Sequence, residues 1–230
     1  MKKVIIVGTL LLGILAVNHY LEEEEQSNIV EFAASVAMNE DVYTVVIDAG
    51  HGGYDSGSLA IDGTEEKEIN LEVSLMLGEL LEAEGINVVY IRDNDNVDFA
   101  QESNTTDLRY RVALANEVDA DLYISIHCNA SDYGSYYGFE TWTDTTDEDA
   151  VTLAEDILSQ LDTLGFSVNR GVKEGSESLY VVGNTNMTSC LVEIGFIDNY
   201  TDYSYISTIQ GKQSIAQAIA DAILPMSLAE

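Results

Sequence analysis

Two histidines, His51 and His127, have the side-chain type and the setting that metal chemistry needs. His51 follows the apolar run Val45–Ile47, and His127 follows the apolar run Leu122–Ile126. Both runs are typical of buried strands, because they are short, apolar and followed by turn-forming residues. In open α/β sheets, ligand sites collect at the carboxyl ends of the strands. The two imidazoles are therefore candidate ligands of one metal ion, with two unrelated core histidines as the alternative.

Two glutamates could complete such a site. Glu66 begins a predicted helix, where the helix dipole alone would also favour a carboxylate. Glu193 lies in the apolar strand Leu191–Phe196, and a carboxylate in a buried strand is costly unless it is paired or used. The alternative is a strand with one polar face, which the leucine at i−2 and the glycine at i+2 do not favour. Two histidines and one glutamate would hold Zn²⁺ with one open position, and a second glutamate could act as base towards water.

The elements that must position these residues alternate between apolar strands and helices. Strands are predicted at Val45–Ile47, Ile86–Ile91, Leu122–Ile126, Gly138–Trp142, Leu179–Val182 and Cys190–Phe196. Helices are predicted at Glu66–Glu84, Asp107–Val118, Asp147–Leu164 and Gln210–Leu224, with Asp107 as an N-cap and Pro225 as a stop. This pattern predicts a single α/β layered domain with a central mixed, mostly parallel sheet of about six strands flanked by helices.

The N-terminus has the features of an export signal. Lys2 and Lys3 precede the uncharged, mostly apolar run Val4–Val17, which fits a signal peptide and is short for a membrane span of about 20 residues. Since no small-x-small triplet directly follows this run, an uncleaved anchor is equally open. We expect a signal peptide or N-terminal membrane anchor at 1–20, an acidic tether at 21–42, and an exported catalytic domain at 43–230.

Acidity dominates the composition. The 41 Asp and Glu outnumber the 9 Lys and Arg, which gives a formal net charge of −32. Such a surface repels nucleic-acid phosphates and argues against a nucleic-acid partner. The hydrophobic share of 46% nevertheless indicates a folded chain. Two cysteines, Cys128 and Cys190, make no disulfide framework, and whether they pair with each other stays open.

Six short segments occur in an order that is typical of one family. They are Val46–Gly57, Glu66–Leu71, Arg111–Asn116, Ser125–Ala130, Asn169–Lys173 and Leu191–Phe196. Together, across about residues 43–226, they resemble the signatures of the zinc-dependent N-acetylmuramoyl-L-alanine amidases of the Amidase_3 type. Six ordered motifs are far more specific than any single glycine pattern.

The resemblance implies a role for each candidate residue. His51, Glu66 and His127 would be the zinc ligands, and Glu193 would be the catalytic glutamate. The reaction would be hydrolysis of the amide between N-acetylmuramic acid and the L-alanine of the peptidoglycan stem peptide. Two other functions stay open: a catalytically inactive zinc-binding protein that binds cell-wall peptides, and an unrelated structural surface domain.

The resemblance also implies the setting in which the chain works. Arg111 would tie its helix to the edge of the site, and Asn129 would assist with an outer hydrogen bond. Some relatives carry a blocking helix after the strand that holds the second histidine. Here only Ser131–Tyr137 separates Ala130 from Gly138, so we expect no obligatory activator protein. The partner would be peptidoglycan, reached outside the cytoplasm by a secreted or membrane-anchored enzyme.

Overall fold

The computed structural model describes residues 42–97 and 104–228. The predicted signal peptide or anchor at 1–20 lies outside these residues, as does the predicted tether at 21–42 apart from its last residue. No helix in the described part of the chain is long and apolar enough to cross a membrane.

Strands and helices alternate along the described chain. The strands are β1 (Thr44–Ala49), β2 (Asn87–Tyr90), β3 (Leu122–Asn129), β4 (Phe139–Thr143), β5 (Asn169–Glu174) and β6 (Thr188–Phe196). The helices are α1 (Glu66–Ala83), α2 (Asn104–Glu117), α3 (Glu148–Thr163), α4 (Tyr180–Asn184), α5 (Tyr200–Ile206) and α6 (Ile209–Ser227). A short 3-10 turn at Asp132–Gly134 lies between β3 and β4.

The six strands form one sheet in the order β2-β1-β3-β6-β4-β5. Neighbouring strands are parallel except for β4, which runs antiparallel to β6. The predicted mixed, mostly parallel six-stranded sheet is therefore confirmed. Because β1 and β3 are parallel neighbours, the residues that follow them emerge side by side at one edge of the sheet.

One hydrophobic core joins the sheet to helices α1, α3 and α6. Helix α3 shows why the sequence folds this way: its buried residues recur every three or four positions, at Ala150, Leu153, Ala154, Ile157, Leu158 and Leu161. Asp147 caps this helix, since its carboxylate accepts hydrogen bonds from two main-chain N–H groups of the first turn. This core packs against the sheet and so supports the strands whose ends carry the candidate ligands.

The predicted strand at Leu179–Val182 is wrong, because this segment leads into the short helix α4. The main-chain N–H of Leu179 bonds to Gly175 O at 2.8 Å, and that of Gly183 bonds to Leu179 O at 3.0 Å. These local bonds satisfy the backbone without a sheet neighbour. The edge of the sheet is instead β5, which the strand prediction did not include.

Two predicted helix boundaries are also wrong. Pro225 lies inside α6, which continues to Ser227. Proline has no main-chain N–H, so one helical hydrogen bond is missing in the last turn, but the helix does not end there. Helix α2 begins at Asn104, so Asp107 is not its N-cap. The Asp107 carboxylate instead accepts a hydrogen bond from Arg111 Nε at 2.8 Å, one helical turn later.

Candidate metal centre

His51, Glu66 and His127 converge at the carboxyl ends of β1 and β3. Each offers one ligand atom, and these atoms lie within 4.8 Å of one another. Glu66 Oε1 is 3.1 Å from His51 Nε2 and 3.1 Å from His127 Nδ1. The two imidazole rings meet edge to face, with centroids 4.9 Å apart. The structure thus brings together the three residues that the sequence suggested as metal ligands.

The turn after β1 positions His51 through an unusual backbone conformation. His51 has φ +62°, which is uncommon for a residue other than glycine. Arg111 Nη2 donates to His51 O at 2.8 Å, and Arg111 Nη1 donates to Ala49 O at 3.1 Å. The same guanidinium bonds to Asp48 and Asp107. Arg111 therefore ties helix α2 to the edge of the site, as the resemblance to the family implied.

Two glycines keep this site open. A Cβ on Gly50 would lie 2.3 Å from the His127 ring. A Cβ on Gly57, whose φ is +64°, would lie 2.6 Å from Glu66 Oε2 and 2.7 Å from His51 Cδ2. Real Cβ atoms do not approach other atoms so closely, so both positions need glycine for space. The glycine-rich turn is therefore shaped around the three candidate ligands.

Glu66 is buried at the start of α1 and is held by neutral donors. Its Oε2 accepts from Ser58 N at 2.9 Å, and its Oε1 accepts from Cys128 N at 3.1 Å and from Asn70 Nδ2 at 3.3 Å. Only 2% of Glu66 is exposed. A residue that served only to start the helix would need neither this burial nor these bonds, so the side chain is oriented towards the two imidazoles.

The centre has a negative potential that favours a cation. Burial alone would lower the pKa of His51, but hydrogen bonds and charges from Glu66 and Asp55 outweigh it and raise the pKa to about 9. Burial alone would raise the pKa of Glu66, but bonds to His127 and His51 hold it well below its usual range. These opposite shifts have one cause, the close approach of imidazole and carboxylate.

Asp55 has a role that sequence reasoning missed. Its Oδ2 lies 2.9 Å from His51 Nδ1, so the carboxylate fixes the ring and leaves Nε2 directed at Glu66. A carboxylate that holds the second nitrogen of a histidine is typical of metal ligands. Asp55 lies inside the first family signature, and its place four residues after His51 in a tight turn is the signal that would have found it.

Glu193 lies beside this cluster rather than within the set of candidate ligands. It is the partner of His127 in the parallel register of β3 and β6. Its Oε2 is buried and has no hydrogen-bond partner among the described residues. Burial raises the pKa of Glu193 to about 8, and the charges of Glu66 and Glu140 add to this effect. Such a carboxylate is suited to exchanging a proton near neutral pH.

A second layer of side chains surrounds Glu193. Glu140 is buried, and its Oε1 accepts from Asn129 Nδ2 at 3.0 Å and from Trp142 Nε1 at 3.2 Å. Arg170 Nε donates to Glu140 Oε2 at 2.8 Å. Asn129 therefore supports Glu140 and contacts none of the candidate ligands in the bonds described. Sequence reasoning gave Glu140 no role, although a glutamate in a short apolar strand was the available signal.

The open question of a disulfide is settled within the described residues, where Cys128 and Cys190 are both buried and both free. Cys128 belongs to the hydrophobic core, as expected for a small apolar side chain. Its main-chain N–H, and not its thiol, contacts Glu66.

Comparison with known proteins places the chain in a family. Residues 45–225 match the family model described as Amidase_3: N-acetylmuramoyl-L-alanine amidase. The uncharacterized protein YqiI of Bacillus subtilis is 41% identical over 182 residues, which are 78% of this chain and 82% of that protein. The N-acetylmuramoyl-L-alanine amidase LytC of Bacillus subtilis is 39% identical over 180 residues, which are 77% of this chain and 34% of that protein.

A solved structure shows the same fold. The CwlD amidase from Clostridioides difficile, in complex with the GerS lipoprotein, has a TM-score of 0.73 and 30% sequence identity. The match covers 82% of this chain and 100% of that one. The family model alone matches well over half of the sequence. The chain therefore belongs to the N-acetylmuramoyl-L-alanine amidase family of the Amidase_3 type.

Proposed function

We propose that the chain is a zinc-dependent peptidoglycan hydrolase that cleaves the amide bond between N-acetylmuramic acid and the L-alanine of the stem peptide. The observation that carries the proposal is the convergence of His51, Glu66 and His127, whose ligand atoms lie within 4.8 Å of one another. Membership of the amidase family supports the assignment of this amide as the bond that is cleaved.

The donor set fits Zn²⁺ better than it fits other divalent cations. Two imidazole nitrogens and one carboxylate oxygen are ligands that a catalytic zinc site uses, with a fourth position left open. Magnesium and calcium prefer oxygen ligands alone. The hydrogen bond of His51 Nδ1 to Asp55, together with the donors on Glu66, holds the donor atoms in place before a cation binds.

Glu193 is proposed as the general base and acid. Zinc bound at such a site would act as a Lewis acid: it would polarise the scissile carbonyl and make hydroxide available near neutral pH. Glu193 lies beside His127 with a buried oxygen that has no partner in the described chain. It accepts the proton of the attacking water as the C–O bond forms, and it returns that proton to the nitrogen as the C–N bond breaks. A nearby cation favours the carboxylate that this step needs.

The proposal includes the setting of the enzyme. We propose that residues 1–20 are a signal peptide or membrane anchor, that 21–42 are a tether, and that the domain from residue 43 acts on the cell wall outside the cytoplasm. A relative named as the probable cell wall amidase LytH of Staphylococcus epidermidis supports this setting. The net charge of −32 makes a nucleic-acid partner unfavourable.

The test is hydrolysis of purified peptidoglycan by the full chain, followed by mass spectrometry of the released stem peptides. We expect free L-alanine amino termini from the zinc-loaded protein, none after chelation, and recovery when Zn²⁺ is added back. Hydrolysis that persists in metal-free protein would contradict zinc dependence. Wall binding with no cleavage by zinc-loaded protein would instead favour the inactive wall-binding alternative.

A further inference from the structure

Four side chains form a row across four neighbouring strands. His127 on β3 is the register partner of Glu193 on β6, and Glu193 is the register partner of Glu140 on β4. Arg170 on β5 continues the row, because its guanidinium bonds to Glu140. Residues directly opposite each other on paired strands project from the same face of the sheet. The row therefore leads from the candidate metal centre to the guanidinium at the edge of the sheet.

The guanidinium of Arg170 is fixed along one side and open along the other. Nε donates to Glu140 at 2.8 Å, and Nη1 donates to Tyr137 O at 3.3 Å. Its Cζ lies 5.7 Å from the centroid of the Tyr136 ring and 5.2 Å from that of the Phe196 ring. Nη2 has no partner among the described residues, and 31% of the side chain is exposed.

We propose that Arg170 is a binding residue for a carboxylate of the peptidoglycan stem peptide, two to three residues beyond the scissile amide. This inference rests on the proposed function, since it places the scissile bond beside Glu193. A guanidinium has five donors in a planar fork, so it can donate to Glu140 through Nε while Nη1 and Nη2 donate to a second carboxylate.

Distance along the row sets which part of the substrate reaches Arg170. Glu193 and Arg170 are two strands apart, and neighbouring strands are about 4.8 Å apart, so the separation is roughly 10 Å. An extended peptide spans about 3.3–3.6 Å per residue, so roughly three residues cover this distance. A carboxylate on the second or third residue of the stem therefore reaches the guanidinium when the scissile amide lies at Glu193.

The negative charge of the rest of the chain makes Arg170 a distinctive position for binding a carboxylate. With a net charge of −32, the surface repels an acidic peptide at most places. The buried guanidiniums of Arg92 and Arg111 are bonded to main-chain carbonyls of the fold. Arg170 combines a pre-oriented guanidinium with an exposed edge, and it lies within reach of the proposed reaction. It therefore favours a free carboxylate over its neutral amide.

The experiment measures affinity without turnover. The full chain carrying Glu193→Gln is loaded with zinc and titrated by calorimetry with two synthetic N-acetylmuramoyl peptides. They differ only at the second residue, which has either a free carboxylate or the corresponding carboxamide, and a second pair of peptides differs in the same way at the third residue. A charge-assisted bidentate contact predicts that the acid binds about ten- to a hundredfold more tightly.

Three further substitutions, each added to the same parent, locate the effect. Arg170→Gln should reduce the preference for the acid to about threefold or less, and Arg170→Lys should keep only part of it, because lysine is a point charge without the planar fork. Arg109→Gln is the control: it removes one charge from an exposed position on α2, and it should keep the full preference. Thermal unfolding of each variant confirms that it is folded.

The outcomes separate this inference from the proposed function. Equal affinity of the parent for acid and amide overturns the inference, and so does a preference that Arg170→Gln leaves unchanged. Parallel hydrolysis assays use the chain with Glu193 intact. If that chain cleaves neither peptide while the binding preference still depends on Arg170, the carboxylate site is supported and the proposed reaction is wrong.

Discussion

Arg111 Nη2 donates a hydrogen bond to the main-chain carbonyl oxygen of His51 over 2.8 Å. The same guanidinium forms buried ion pairs with Asp48 and Asp107. Asp48 also accepts hydrogen bonds from Tyr123 and Ser125 on β3. One buried cation therefore connects helix α2, strands β1 and β3, and the turn that carries a proposed zinc ligand, so the fold and the proposed metal site depend on the same group.

Replacing Arg111 with lysine tests this shared role. Lysine keeps the charge but has three donors on one atom, so it cannot replace the five hydrogen bonds that the guanidinium donates to Asp48, Asp107 and the carbonyls of Ala49 and His51. We expect Arg111→Lys to lower the free energy of unfolding by about 2–4 kcal/mol and to weaken zinc binding. Urea denaturation and elemental analysis measure the two effects. Arg109→Lys, at an exposed position of the same helix, should change neither, and an unchanged Arg111→Lys protein would contradict the role.

Gly50→Ala should damage the metal centre more than the fold. The added Cβ would lie 2.3 Å from the His127 ring, so the ring must move away from the ligand cluster. We expect the zinc content to fall well below the roughly one ion per chain of a three-ligand site. Gly175→Ala is the control, because its Cβ would meet nothing closer than 3.2 Å. Full zinc content in Gly50→Ala would show that His127 is not held as described.

Asp55→Asn tests the outer bond to His51. Asparagine keeps the size of the side chain but loses the charge that holds His51 Nδ1 at 2.9 Å. Loss of such a partner typically weakens metal affinity by about 10–100-fold. Competition with a fluorescent zinc chelator measures the change. Asp156→Asn, on the exposed side of α3, should bind zinc as the wild type does; equal affinity of the two variants would rule out a positioning role for Asp55.

The sequence was sufficient where local pattern and strand topology coincide. His51 and His127 each follow an apolar run, and parallel pairing of β1 and β3 brings such strand ends together whatever the details of packing. Helix α3 was equally predictable, since the capping residue Asp147 and the helical spacing of the apolar residues indicate the same segment. Residue chemistry also made Glu66 and Glu193 candidates, and only the resemblance to the family assigned Glu66 as a ligand and Glu193 as the catalytic glutamate.

The sequence was insufficient where long-range contacts decide. Val181 and Val182 have strand propensity, yet they lie in the short helix α4, where local bonds satisfy the backbone. Glu140 and Arg170 are 30 residues apart and meet only because β4 and β5 are neighbours. No periodic pattern encodes such a pair, so its contribution to the site became visible only in three dimensions.

Independence from an activator is a separate prediction. The link between β3 and β4 contains only the 3-10 turn Asp132–Gly134, and a blocking helix of two or more turns with its connections needs more residues. We expect the purified full chain to release stem peptides without any added protein. The measurement is informative because the similar amidase CwlD was solved in complex with a second protein, the GerS lipoprotein. A strict requirement for a partner would contradict this expectation.

Glu193→Gln should separate chemistry from metal binding and from folding. Glutamine keeps the volume of the side chain, so the packing of β6 should survive, and it removes a buried charge that Glu66 and Glu140 repel. It cannot accept a proton as the carboxylate does. Loss of a general base typically costs 10²–10⁴-fold, so we expect activity to fall by about two orders of magnitude or more.

Three measurements on Glu193→Gln decide its role. Zinc should stay at about one ion per chain, because His51, Glu66 and His127 are unchanged. Thermal stability should stay close to that of the wild type, and stem-peptide release should fall. Glu177→Gln, an exposed glutamate, is the control and should behave as the wild type does. If Glu193→Gln loses its zinc, Glu193 is a ligand; if it hydrolyses peptidoglycan at close to the wild-type rate, the proton is carried by another group.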